Sequence, residues 1–578
     1  MIVGTPTAST YNPYYLKLTD SSPNPQSIIL TQSYSIAGPL GIHCPGNGPS
    51  LIGETYFVQC GASGGIGLAN TWISAGALPA GLTLLRGFIQ GTPTTPGPYS
   101  YTISAADNLT PTPATASQTL TGVITPLPAA LDVTNVSGSM AHLAIGDGWS
   151  TTTVLMNPGA NYAQAHVGYF GDGGSPLGFP LSAGGTVTTT SAADQVMAAH
   201  SMFVVSSATP PGDPLQEGSA NLTTDGRVNG FIRFRYAPRD EDATVPLEIR
   251  KAAAYVLSFD NTNGIATGVA LANLSANAAN VPVVMRDDTG AQIGSASLPL
   301  TGKGHTAFVL TDKFSTLVNR RGTVEFDTPP AGQISVLGLR FPPGQQFTTI
   351  PVIANTDAGG GSLAHLAVGN GWTSTVELVN FGATAAQAHL KFFGDDGSPL
   401  PLPLAFATTT ATTSTVDQPM TPHSRLVVQS TAIDSDPLQT GSAQLTTDGS
   451  VSGFIRFRYG PRNQEAIVPI ESRNSSTYIV AFDNTNGLAA GVAVANLSAS
   501  AVTIPVLIRD SAGAQLGAGV VTLAASGHSA FVLSDQFVAA KNQSGTVEFD
   551  APAGSKISVL GLRFPASGAF STIPVVIP

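Results

Sequence analysis

The side chains best suited to proton transfer are nine histidines, among them the matched pairs His142 with His365, His200 with His423, and His305 with His528. Each opens an apolar run, as in AHLA, AHSM and GHTAFVL. Hydrolysis by a Ser/His/Asp site would need a positioned nucleophile and an orienting acid, and no such set is legible around these histidines, so capping or bridging of strand edges is the plain expectation. Acidic turns raise calcium instead. The FDNTNG segments offer Asp260, Asn261 and Asn263 in one place and Asp483, Asn484 and Asn486 in another. Calcium takes about six to eight oxygens, usually with several carboxylates, so these are weak candidates and no cofactor is expected. Glycoside cleavage would need two carboxylates in a cleft with aromatic platforms, yet only three tryptophans exist. Trp72 fits a core. Trp149 and Trp372 follow G-D/N-G turns and are either candidate sugar-stacking platforms or plugs at a sandwich end. Arg233 and Arg235, like Arg456 and Arg458, alternate along a strand and suit either a ligand or cross-strand pairing with Glu248 and Glu471. Catalysis is not expected.

The elements that must carry these residues are strands. Apolar residues make up 42% of the 578-residue chain but charged ones only 10%, against about 25% in an average soluble domain. Gly, Pro, Ser, Thr and Ala replace them, favouring short strands and tight turns over helices. Ile232, Phe234 and Tyr236 alternate with Phe231, Arg233 and Arg235, the period of a strand with one buried face. D-G pairs in GDGG, TTDG and GDDG supply the positive φ that hairpins use. A net charge of −11 argues against nucleic acid as a partner, and no apolar run is long enough for a membrane-spanning helix.

Self-comparison organises the chain. HLAIGDGW at His142 returns as HLAVGNGW at His365, GFIRFRY at Gly230 returns at Gly453, and ISVLGLRF at Ile334 returns at Ile557, all at one offset of 223 residues. Each repeat is itself a weak double, so the expected fold is all-β, with tandem immunoglobulin-like sandwiches in a duplicated two-sandwich unit. The expected domains are an extended arm (1–25), an Ig-like head (26–132) and four sandwiches (133–250, 251–355, 356–473 and 474–578).

Within the head, GALPAGLTLLRGFIQGTPTTPGPYSYTISAAD (residues 76–107) carries Leu78, Pro79, Gly81 and Leu82, then Gly87, Ile89, Gly91, Thr92 and Pro93, then Gly97, Tyr99, Ile103, Ala106 and Asp107. This resembles the Putative Ig (cadherin-like) repeat of bacterial surface proteins. The tail pattern FDNTNG…GVAxANLS…GHxAFVL…GTVEFD…LGLRF resembles uncharacterised secreted β-sandwich repeats of environmental bacteria. The resemblance implies an extracellular or cell-surface setting. Cys44 and Cys60 are read as a disulfide worth about 3 kcal/mol, with two buried thiols as the alternative. Near the start, Tyr14, Leu16 and Leu18 alternate with Tyr15, Lys17 and Thr19. Such a strand joins a sheet of its own chain or adds to the edge of another copy. The expectation is a structural or adhesive surface protein, a homo-oligomer or a filament subunit built by strand addition. The alternative is a string of modules binding glycans or surface proteins. Strung end to end, five sandwiches would make a rod on the order of 150–200 Å.

Overall fold

The computed structural model describes residues 10–578 apart from 45–47, 50–51, 53–55, 68, 109–110, 126–130, 134–135, 331, 345 and 567–569; for 10–14 and 32–36 it describes the backbone alone. Strands take up 60% of the chain and helix 4%. The chain divides into two compact units, Met1–Ala130 and Leu131–Pro578.

The first unit opens with a two-stranded ribbon, β1 (Thr10–Thr19) antiparallel to β2 (Ser27–Ile36). Within the stretch expected as an extended arm (1–25), residues 10–19 are thus one leg of a hairpin. The Asp20 carboxylate closes its turn by accepting from Ser22 N, Ser22 Oγ and Gln26 N. The rest of the unit stacks a three-stranded sheet of Asn70–Gly76, Gly97–Ala106 and Thr115–Ile124 against another of Tyr56–Gln59, Leu82–Leu85 and Phe88–Gly91. Leu82, Ile89, Tyr101 and Ile103 fill the space between with Cys44 and Cys60, which form a disulfide with Cα atoms 4.1 Å apart.

The second unit holds four two-sheet stacks. Residues 138–246 and 361–469 each pair a four-stranded with a six-stranded sheet; residues 254–354 pair five strands with four, and residues 477–573 pair four with four. Ala386–Gly394 (AQAHLKFFG) shows why such segments are strands: Ala386, Ala388, Leu390 and Phe392 face the core while Gln387, His389 and Lys391 point away. Other strands break that rule. Gly138–Ile145 (GSMAHLAI) is buried at every position, because its outer face is covered by the next sandwich.

The four sandwiches close on one another rather than forming a row. Ala270, Leu337, Leu339 and Phe347 of the second pack into the core of the first. Phe454 and Ile467 of the third pack into the second, and Ala493 and Leu560 of the fourth into the third. The circuit is completed by Val154, Met156 and Phe231 of the first sandwich, which belong to the fourth sandwich's core. At the centre the strands Glu241–Pro246, Thr348–Ile350, Gln464–Pro469 and Ser571–Ile573 meet in cyclic order. The extended-rod expectation therefore fails for this unit: strands with two apolar faces bury the second one by wrapping the string into a ring.

Candidate functional site

The chemistry-bearing residues gather at the four seams of this ring. A β-bulge between Met140 and Leu143 turns His142 outward from its sheet. His142 Nδ1 then lies 3.1 Å from His305 Nε2 of the second sandwich, and His305 Nδ1 lies 2.7 Å from Asp172 Oδ1. The second repeat copies this chain: His365 to His528 at 3.0 Å, and His528 to Asp395 at 2.8 Å. Burial, and then the neighbouring His305, push His142 down to about 3. His365 is pushed down to about 3 by burial and His528, with Asp395 opposing. The other nitrogen of His142 faces Glu217 at 3.9 Å; in the second repeat Thr440 stands at the Glu217 position and its hydroxyl donates to Asp395 at 2.9 Å. Gly61–Gly65 reads G-A-S-G-G, the spacing of a nucleophile elbow, but Ser63 ends a three-residue strand paired with Gly41–His43 and no helix follows.

The seams between repeats carry ion pairs that reading the sequence missed. Arg340 of the second sandwich bonds Glu465 of the third at 2.8 Å, and Arg563 of the fourth bonds Asp242 of the first at 2.6 Å. These are one contact made twice at the 223-residue offset, so the two repeats meet as a two-fold pair. Both arginines lie in the duplicated GLRF string, a signal for a shared role. Arg425 adds bonds to Glu377 at 2.6 Å and Asp288 at 3.0 Å. In contrast, Glu248 is taken by Arg250 and Glu471 by Arg473. The expected cross-strand partners of the strand arginines are thus absent; Arg235 pairs with Asp240 and Arg456 with Glu465.

The remaining candidates are placed as follows. Trp149 packs on Tyr236 and Phe347 with ring centroids 4.8 and 5.5 Å away. Trp372 packs likewise on Tyr459 and Phe570. Both are half-buried at the seams within each repeat. Trp72, expected in the head core, is instead 42% exposed: it pairs with Ser104 on the outward face of its sheet, while Ile73 and Ile103 point inward. In FDNTNG the Asp260 carboxylate accepts from Thr262 N and Oγ1. The buried Asn261 side chain accepts from Thr267 N and donates to Leu317 O. Asn263 adopts positive φ. Asp483, Asn484 and Asn486 repeat this turn and brace. Among the described residues no three His, Cys, Asp or Glu side chains converge to hold a metal ion, and no helix is long and apolar enough to cross a membrane.

The ribbon is the other candidate. Its register puts Leu16 beside Leu30 and Leu18 beside Ile28, so four aliphatic side chains share one face, and all four are exposed. Tyr15 and Ile29, on the opposite face, are exposed too. Tyr14 pairs through its backbone with Gln32; its side chain lies outside the described residues. Among those residues no third strand joins the ribbon.

The head's two small sheets, the LPAGL turn and the GTP turn have a counterpart among known families. Residues 54–125 match the family described as Putative Ig domain. This Ig-type head is a minor part of the chain. No curated protein matches. Among solved structures, a protocadherin gammaB7 EC3-6 cis-dimer is 13% identical over 40% of this chain and 57% of its own, with a TM-score of 0.14. The chain thus spans little more than half of that relative. A Bacteroides ovatus mixed-linkage glucan utilization locus protein, SGBP-B, in complex with a mixed-linkage heptasaccharide, is 10% identical over 75% of this chain and 99% of its own, with a TM-score of 0.11. Escherichia coli alpha-2-macroglobulin is 9% identical over 85% of this chain and 51% of its own, with a TM-score of 0.12. At these TM-scores none of the three carries an argument about arrangement or function.

Proposed function

We propose that this protein is a non-catalytic structural and adhesive component of a bacterial cell surface, and that its ribbon joins one copy to the next. The ribbon carries this reading. A lone two-stranded hairpin is at best marginally stable in water, and among the described residues nothing covers this one's aliphatic face or pairs with its edges. A second copy of the same ribbon supplies what is missing, an equally uncharged face or a free edge. Such contacts repeated head to tail build an open polymer. The Cys44–Cys60 disulfide favours an oxidising, extracellular setting. The buried histidine chains and the half-buried tryptophans support scaffolding rather than turnover. The test is light scattering and negative-stain imaging of the full chain across a concentration series. Oligomers or filaments that grow with concentration, and that disappear in a Leu16→Asp/Leu30→Asp variant, are expected; a wild-type chain monomeric at every concentration contradicts the assembly reading.

A second reading has its own observation. The outward face around Trp72 carries Ser74, Thr102, Ser104, Ser117 and Thr119, with hydroxyl pairs at 2.6 and 2.9 Å. An exposed indole amid hydroxyls and no charge suits a neutral glycan. Glycan-array binding abolished by Trp72→Ala supports this, and no binding on a broad array removes it.

A further inference from the structure

We propose that the closed ring of four sandwiches is acid-labile, opening at its seams when protonation of a histidine in each one sets a new positive charge against a cation or a second histidine across the joint.

Four of the eight duplicated histidines define these joints, one per seam. His142 and His365 face His305 and His528 across the seams within each repeat. His200 of the first sandwich shares a small pocket with Arg509, Glu548, Ile479 and Thr546 of the fourth. There, His200 Nδ1 and Arg509 Nε are both buried without a hydrogen-bond partner. His423 of the third sandwich stands in the same place against Arg286 of the second, which pairs with Glu325 at 3.3 Å. His200 and His423 hold the same left-handed backbone, φ 58°, so the repeats keep the side chain and its strained perch together. His43 and the fourth duplicated pair, His166 and His389, lie elsewhere: His166 and His389 pair with Asp194 and Asp417 of their own sandwiches.

All four seam histidines are held below the ordinary histidine range. Burial is the first cause each time, followed by His305 for His142, His528 for His365, Arg509 for His200 and Arg286 for His423. Acidic groups stand close but do not reverse this: Glu217 and Asp172 at the first seam, Asp395 at its copy, Glu548 and Glu325 at the other two. The closed ring therefore excludes protons that freed histidines would take up below about pH 6.5. Closure is unaffected above that pH and is lost progressively as pH falls toward 3. His142 and His365 each shift the open-to-closed ratio about tenfold per pH unit within this window, about a hundredfold together, and His200 and His423 push in the same direction. Free carboxylates take up protons only near about pH 4, so opening that begins well above that pH reports the histidines.

The experiment is sedimentation velocity with far-ultraviolet circular dichroism on the full chain from pH 7.5 to 3. The expected result is a fall in sedimentation coefficient between pH 6.5 and 4.5 while the β signal persists. The H142Q/H200Q/H365Q/H423Q variant should postpone that fall by at least one pH unit. If it does not fold, H200Q/H423Q, altering only half-exposed positions, should postpone the fall by a smaller amount. A wild-type ring compact until its strands melt, or variants opening at the wild-type pH, overturns the proposal.

Discussion

Arg425 is buried between the second and third sandwiches, where it bonds Glu377 and Asp288 while Ser258 donates to the same Glu377. Burial alone would raise the Glu377 carboxyl, but Arg425 and Arg456 beside it, with hydrogen bonds from Arg425 and Ser258, hold it below the usual range. Its contribution is therefore present above the ordinary carboxylate range and fades as pH falls through it. At the equivalent place in the seam between the fourth and first sandwiches the same problem is solved without charge. Val154 stands where Glu377 does, Met202 where Arg425 does, and Ala481 where Ser258 does. Only the backbone bond is kept, Met202 N to Ser511 O matching Arg425 N to Asp288 O, both 2.9 Å. Arg425→Met alone strands a buried carboxylate and should cost about 3–5 kcal/mol in chemical denaturation. Arg425→Met with Glu377→Val transplants the apolar seam and should recover most of that loss. A double variant as unstable as the single one would show that the ionic network is needed for more than neutralising itself.

At the scale of elements, one-face strands were plain in the sequence because alternation reports a single buried side; Ala386, Ala388, Leu390 and Phe392 against Gln387, His389 and Lys391 is such a case. Seam strands were not. GSMAHLAI and ISVLGLRF lack alternation because both faces are covered, and a run of small and apolar residues does not say what covers the second face. For the same reason the sequence left Trp149 open between platform and plug: its partner Phe347 lies almost two hundred positions downstream. Trp72 was misplaced because its neighbours Thr71 and Ile73, not the indole, take the inward positions. The Asp20 turn that folds the arm back carries no motif beyond SSPNPQ. The head offers a direct test of its small core. Cys44→Ser/Cys60→Ser frees a loop spanning 16 positions and should lower the head's stability by about 3 kcal/mol, read as an earlier melting step distinct from that of the second unit.

For the second unit as a whole, the duplicated repeat behaves like a two-fold dimer fused into one chain. Both inter-repeat seams use the same arginine–carboxylate contact, and closure brings together the first and fourth sandwiches, the most distant in sequence. A ring of this kind resists pulling and local opening better than a string, because separating any sandwich breaks two seams. That suits a rigid body carried on a surface. The most direct test exploits Thr244 and Thr572, whose hydroxyls lie 3.4 Å apart across the closing seam. In the full chain bearing Thr244→Cys and Thr572→Cys, mild oxidation should give a monomeric species with an internal crosslink between the two new cysteines, detected by peptide mapping. Two thiols that remain free under the same conditions would mean the sandwiches are strung out and the ring does not exist.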